Sequence, residues 1–256
     1  MTPATDEQRR DAQRIGHPAT GAMSHSSAPA PSATLRLGQA LFRFRSFIPV
    51  PVLAVLAWLL WRARSGPGPL WLDALGLSVS LLGQAVRFYT VSQVSDGTSG
   101  QDDVLEAKVL NTKGPYARVR NPLYVGNLLI CVGLMILAKE PYAAALGLAF
   151  FFGEYFFIIR AEEDFLRAQF GAVYAAYVRE VPRWVPRWSP ASGGALGRVD
   201  WQRGLKKEHN PFAAWSLGAL ALLAWQAQSP MPYAAIGAGV LAIFLGIKAW
   251  KRRWFH

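Results

Sequence analysis

Two carboxylates side by side, Glu162 and Glu163, stand in the stretch Arg160-Ala-Glu-Glu-Asp-Phe-Leu, just where an apolar run ends. A second polar cluster, Gly114-Pro-Tyr-Ala-Arg-Val-Arg-Asn-Pro-Leu-Tyr, closes at Tyr124, just where another apolar run begins. Between the clusters lie only the runs Leu123 to Ala138 and Tyr142 to Ile159, joined by Lys139, Glu140 and Pro141. So short a joint, with a proline in it, forces two antiparallel helices and brings the clusters to one face of the molecule. Carboxylates placed there can hold an ammonium group or sugar hydroxyls. The rings and phenols of Tyr116, Tyr124 and Tyr174 can face a cation. The chemistry this suits is the binding and alignment of a cationic ligand beside an acceptor, with water kept out.

The elements that must position these residues are helices in a membrane. The chain has 256 residues, 52% of them hydrophobic, with ten Trp and fourteen Phe, and its charges fall between apolar runs rather than along them. That pattern predicts an all-α polytopic membrane protein of about six spans. Residues 1–34, rich in Ala, Pro, Ser and Thr, read as a disordered tail. Two spans follow in 35–91, about Phe47 to Trp61 and Leu70 to Val91. A core with the hairpin occupies 92–190. Within it Glu162 to Tyr177 spaces its aromatic residues as an interfacial amphipathic helix would, ended by Pro182, Pro186 and Pro190. In 191–256 a Gly/Arg-rich connection reaches Asn210, two more spans run from about Phe212 to Ala227 and Tyr233 to Trp250, and a basic tail closes the chain.

The formal net charge of +11 does not point to nucleic acid, because the basic residues flank apolar segments instead of forming one stripe. The single cysteine, Cys131, sits in an apolar run, and His17, His25, His209 and His256 have no metal-ligand spacing, so no metal site is expected. With the N-terminus in the cytoplasm, Arg62, Arg64 and Lys139 fall outside and Arg87 within a span. The remaining 23 of the 27 Lys and Arg then lie on the cytoplasmic side, as the positive-inside tendency requires, and the paired clusters face the cytoplasm with them.

The pattern G-P-Y-x-x-x-R-N-P-x-Y, a helical hairpin, then E-E-x-x-L-x-x-x-F-G-x-x-Y-x-x-Y-x-x-x-V-P-R resembles the integral-membrane methyltransferases typified by isoprenylcysteine carboxyl methyltransferase and the phospholipid methyltransferases. The likeness covers roughly residues 101 to 186. It implies S-adenosylmethionine as methyl donor and a membrane lipid or lipidated acceptor, either an isoprenylcysteine-like carboxylate or a phospholipid amine. It places the donor on Gln101, Lys108, Val109, Leu110, Asn111, Tyr116, Asn121, Pro122, Leu123, Tyr124, Glu162 and Glu163. The family's usual Arg-His-Pro reads Arg120-Asn121-Pro122 here, and an Asn hydrogen-bonds but does not titrate near neutral pH. Two other readings stand beside this one. An NADPH-dependent membrane reductase of the sterol-reductase kind looks similar over the same half, and a non-catalytic protein retaining the fold would account for Asn121.

Three further residues are candidates for work on the acceptor. Arg183 lies where an anionic group would enter. Arg87 and Glu154 are ionisable at membrane depth, where such groups pair or line a cavity. Glu154 is expected to pair with Arg87 or to take a proton from an amine, and Gln84, with Arg87 and Glu154, to border a lateral opening.

Overall fold

The computed structural model describes residues 40, 44, 47–63, 66–94, 109–191, 199–227 and 229–254. The tail 1–34 and the candidate residues Gln101 and Lys108 lie outside them. The described residues form six helices of fifteen residues or more and no strand: α1 Pro49–Ala63, α2 Leu70–Gln93, α3 Pro122–Ala138, α4 Pro141–Glu180, α5 Trp201–Gln226 and α6 Met231–Trp254. A single 3-10 turn, Gly114–Ala117, precedes α3.

Proline opens both helices of the hairpin. Pro122 and Pro141 occupy first-turn positions, where a missing N–H costs nothing. Lys139, in the left-handed region at φ 55°, ends α3, and the Glu140 carboxylate accepts from the Ala143 N–H at 2.5 Å to start α4. On the same joint Lys139 Nζ reaches Asp73 Oδ1 of α2 at 2.6 Å.

Two elements differ from the sequence reading. The interfacial helix is not separate: α4 runs forty residues, through Arg160 and the paired carboxylates. Nothing between Tyr142 and Phe170 breaks a helix, and a loss of hydrophobicity does not interrupt backbone hydrogen bonds. The break comes at Gly171 (φ 49°, ψ −120°), a conformation open to glycine and costly for other residues. Likewise α5 begins at Trp201 rather than Phe212. The Asp200 side chain caps it by accepting from the Arg203 N–H at 3.0 Å, and Pro211 is absorbed within the helix.

α3 is the centre, contacted by α2, α4 and α5; α1 lies against α4, and α6 against α5. The α2–α3 contact is the closest. A Cβ on Gly133 would lie 2.5 Å from the Gly76 carbonyl oxygen, and one on Gly83 would lie 2.6 Å from that of Gly126. Glycines seven residues apart on each helix thus bring the two backbones together, the usual means of binding helices without a hydrophobic driving force. Outward faces remain apolar, with Trp58, Leu82, Phe156 and Ile243 exposed. α2, α4 and α6 are long and apolar enough to cross a membrane, while α1 and α3 are apolar but shorter.

Candidate active site

The hairpin delivers the start of α3 against the middle of α4. Tyr124 Oη donates to Glu162 Oε1 at 2.6 Å, joining two residues 38 apart in sequence. The Tyr124 ring lies 4.7 Å, centroid to centroid, from that of Tyr155, and Tyr155 lies 4.3 Å from Phe151. One turn further along α3, Asn127 Nδ2 donates to Tyr155 Oη at 2.7 Å, and Asn127 Oδ1 accepts from Arg87 Nη1. Arg87 in turn donates through Nε and Nη2 to both oxygens of Glu208 on α5, each at 2.9 Å. A polar chain at depth therefore links α5, α2, α3 and α4.

Glu163 points away from that chain. Its side chain is 5% exposed and accepts from Arg183 Nε at 3.0 Å and Nη2 at 2.5 Å, while Arg120 Nη1 lies 3.2 Å away. The hydrogen bonds to Glu163 raise the Arg183 pKa above its already basic value. Main-chain bonds fasten the segment after α4 to the turn before α3: Arg120 N–H to Pro182 O at 2.8 Å, Arg187 N–H to Arg118 O at 2.9 Å, and Ala191 N–H to Ala117 O at 2.8 Å. Asn121 Nδ2 donates to Arg183 O at 3.3 Å, which gives this Asn a positioning contact in place of a cap. Tyr177 Oη donates to Tyr116 O at 2.8 Å. Burial, and then the nearby Glu162 carboxylate, push the Tyr116 phenol pKa well above its ordinary value, so it stays a neutral hydrogen-bond donor.

Of the expected donor residues, Tyr124 and Glu162 meet with Tyr116 beside them, whereas Asn121 and Glu163 join the Arg183 cluster; Pro122 and Leu123 open α3 next to both, and Val109, Leu110 and Asn111 lie on the segment that leads to the 3-10 turn. Other expectations are corrected. Arg87 pairs with Glu208, not Glu154, because α2 packs on α3 and α5 and does not lie along α4. Glu154 is buried at 9% exposure, without a hydrogen bond or ion pair among the described residues. Gln84, 5% exposed, is packed inside the bundle rather than bordering an opening. Arg183 is committed to Glu163. Arg120, Asn127, Tyr155 and Glu208 were missed. A signal existed for Glu208, the one acid in a basic stretch that leads into an apolar run when another span carries an arginine. An apolar cavity of about 360 Å³ between α1 and α5, lined by Trp61 and Trp225 among others, lies at the opposite end of the bundle.

The residues fit a donor of the expected kind: a carboxylate, two aromatic hydroxyls and two ring faces converge where the backbone turns. Residues 71–173 match the family model described as phospholipid methyltransferase. The nickel-cobalt-cadmium resistance protein NccN of Alcaligenes xylosoxydans xylosoxydans is 32% identical over 165 residues, 62% of this chain and 73% of that protein. The chain belongs to the phospholipid methyltransferase family. It is thus an integral membrane protein of a methyltransferase family, as the apolar helices also indicate. The cobalt-zinc-cadmium resistance protein CzcN of Cupriavidus metallidurans is 36% identical over 136 residues, 52% of this chain and 59% of that protein. A protein-S-isoprenylcysteine O-methyltransferase of Tribolium castaneum is 32% identical over 116 residues, 43% of this chain and 40% of that protein. No solved structure matches. The family match ends at residue 173, so α5, which carries Glu208, lies beyond it.

Proposed function

We propose that this protein transfers a methyl group from S-adenosylmethionine to a lipid or lipidated acceptor at the cytoplasmic face of a membrane. The observation that carries the reading is the Tyr124–Glu162 contact, which assembles two polar clusters into one site at the end of an apolar hairpin. Family membership supports the reaction class and the donor. The excess of Lys and Arg on that side supports the orientation.

The bound donor would supply an electrophilic methyl on a sulfonium, open to in-line attack by the acceptor with the neutral thioether as leaving group. The chain has little covalent work to do. Glu162 would hold the donor's ammonium or ribose hydroxyls, with Tyr124 fixing the carboxylate. Tyr116 and Tyr124 would offer ring faces or neutral hydroxyls to the cation, while Tyr174, fully buried beside Arg120 and Glu163, would support the latch instead. Glu163, Arg120 and Arg183 would latch the segment after α4 over the site and exclude water. Lys108 and Gln101, outside the described residues, remain donor candidates. Glu154, unpaired and at membrane depth, would receive the proton released by an amine acceptor; a carboxylate acceptor would need no base. Equilibrium binding to the purified chain tests the proposal. S-adenosylmethionine should bind and NADPH should not, and tritiated methyl should pass into a lipid extract. Binding of NADPH alone would replace this reading with a membrane reductase.

A further inference from the structure

We infer that Glu208, on a helix beyond the family-matched stretch, is a positioning residue for the donor site, acting through Arg87, Asn127 and Tyr155 on the Tyr124–Glu162 contact. The inference rests on the methyl-transfer reading above. The first turns of α5 are fastened to the end of α2. Asp200 N–H donates to Ser92 O at 3.0 Å, Arg203 Nη1 donates to Val94 O, and a Cβ on Gly204 would meet the Phe88 ring at 2.6 Å. At its far end Gln226 Nε2 donates to Leu137 O at 2.9 Å, satisfying a carbonyl at the C-terminus of α3.

Between these fastenings Glu208, at 4% side-chain exposure, takes both Nε and Nη2 of Arg87, itself 12% exposed. A two-point grip of this kind fixes the plane of the guanidinium as well as its place. The plane fixed in this way also fixes the directions of the Nη1 hydrogens, one of which goes to Asn127 Oδ1. With its oxygen committed to a cation, the Asn127 amide cannot flip, and its Nδ2 must point at Tyr155 Oη. Tyr155 is held at its tip by this bond, and its ring packs on Phe151 and on the Tyr124 ring. Release of Glu208 removes the constraint that orients Asn127. It thereby weakens the hold on the Tyr155 hydroxyl and on the ring against which Tyr124 packs as it donates to Glu162. Because the chain of contacts ends on Glu162, the effect of Glu208 is expected on affinity for the donor.

A test must separate positioning from mere support, because a single loss leaves a buried charge alone and destabilises the helix bundle. The double variant Arg87→Met, Glu208→Met removes both charges and fills the space, a replacement that stability tolerates. Full-length protein in lipid nanodiscs would be titrated with S-adenosylmethionine, alongside Tyr155→Phe and the triple variant. The expected result is a double variant that melts near the parent yet binds the donor about two- to thirtyfold more weakly, the range for residues coupled through one network. Tyr155→Phe should show a similar loss, and the triple variant no further loss, since both changes cut one chain. Parent-like affinity in a folded double variant, or additive losses, would overturn the inference and leave the methyl-transfer reading standing. A parent that binds no S-adenosylmethionine would overturn both.

Discussion

Replacing either of two adjacent carboxylates, Glu162 and Glu163, should have opposite consequences. Glu163→Ala strands Arg120, 12% exposed, and Arg183, 36% exposed. Breaking a buried ion pair from one side costs about 3–5 kcal/mol. Arg183 is open enough to regain water, so the lower end, about 3 kcal/mol, applies. For a chain of this size that is a fall of about 6–12 °C in Tm. Glu162→Ala removes the hydrogen bond from the half-buried Tyr124 hydroxyl, worth about 0.5–1.5 kcal/mol, and strands no buried arginine of the kind Glu163 holds, so its Tm should fall less. Donor affinity should rank the other way. Loss of a charge-assisted contact weakens binding about ten- to a hundredfold for Glu162→Ala. Glu163→Ala, assayed below its own Tm, should stay within about threefold of the parent, because Glu163 is turned to the arginines. Thermal unfolding in one detergent and calorimetric titration with S-adenosylmethionine supply both rankings. If Glu163→Ala melts no lower than Glu162→Ala, or loses more donor affinity, the division of labour between the two carboxylates is wrong.

Gly133→Ala would press a methyl against Gly76 O, Ser80 N and Ser80 Cβ at 2.5–2.6 Å and should cost about 1–3 kcal/mol, whereas Gly237→Ala meets nothing within 4 Å and should leave Tm unchanged or raised; thermal unfolding of the pair decides. Gly171→Ala should lower stability by about 1–3 kcal/mol although the space around it is open, since the strain lies in the backbone; a parent-like denaturation midpoint would refute that. In a Cys131→Ser background, Trp188→Cys should react with an impermeant maleimide only from the cytoplasm and Tyr142→Cys only from outside, both sites being well exposed. The reverse pattern would invert the topology.

The helices were legible wherever composition and punctuation agreed. Pro122 and Pro141 mark starts that fall within a residue of the apolar runs, and the three-residue joint between α3 and α4 left only one way to fold the hairpin. That the two polar clusters meet followed from this geometry; that Tyr124 bonds Glu162 within them did not. Where polar residues continue a helix, hydropathy stops early: α4 passes through Arg160–Asp164, and α5 begins at Trp201, eleven residues before its apolar run at Phe212. Partner choice was beyond reach for a different reason. Arg87 faces α3 and α5 because glycines pull α2 onto α3, and a register set by missing side chains leaves no hydrophobic period to read. Glu154 looked an equal partner in one dimension.

The grip of Glu208 on Arg87 also has a history in time. The two residues are 121 apart, so at roughly 5–20 residues per second a ribosome delivers the acid about 6–24 s after the base. Throughout that interval α2 carries an arginine for the bilayer with no counter-ion, a state that helices avoid by staying near the interface or near water. Final seating of α2 against α3 is therefore expected to wait for α5. A chain cut short before α5 would carry that unanswered charge permanently, and cellular surveillance would recognise it as unfinished.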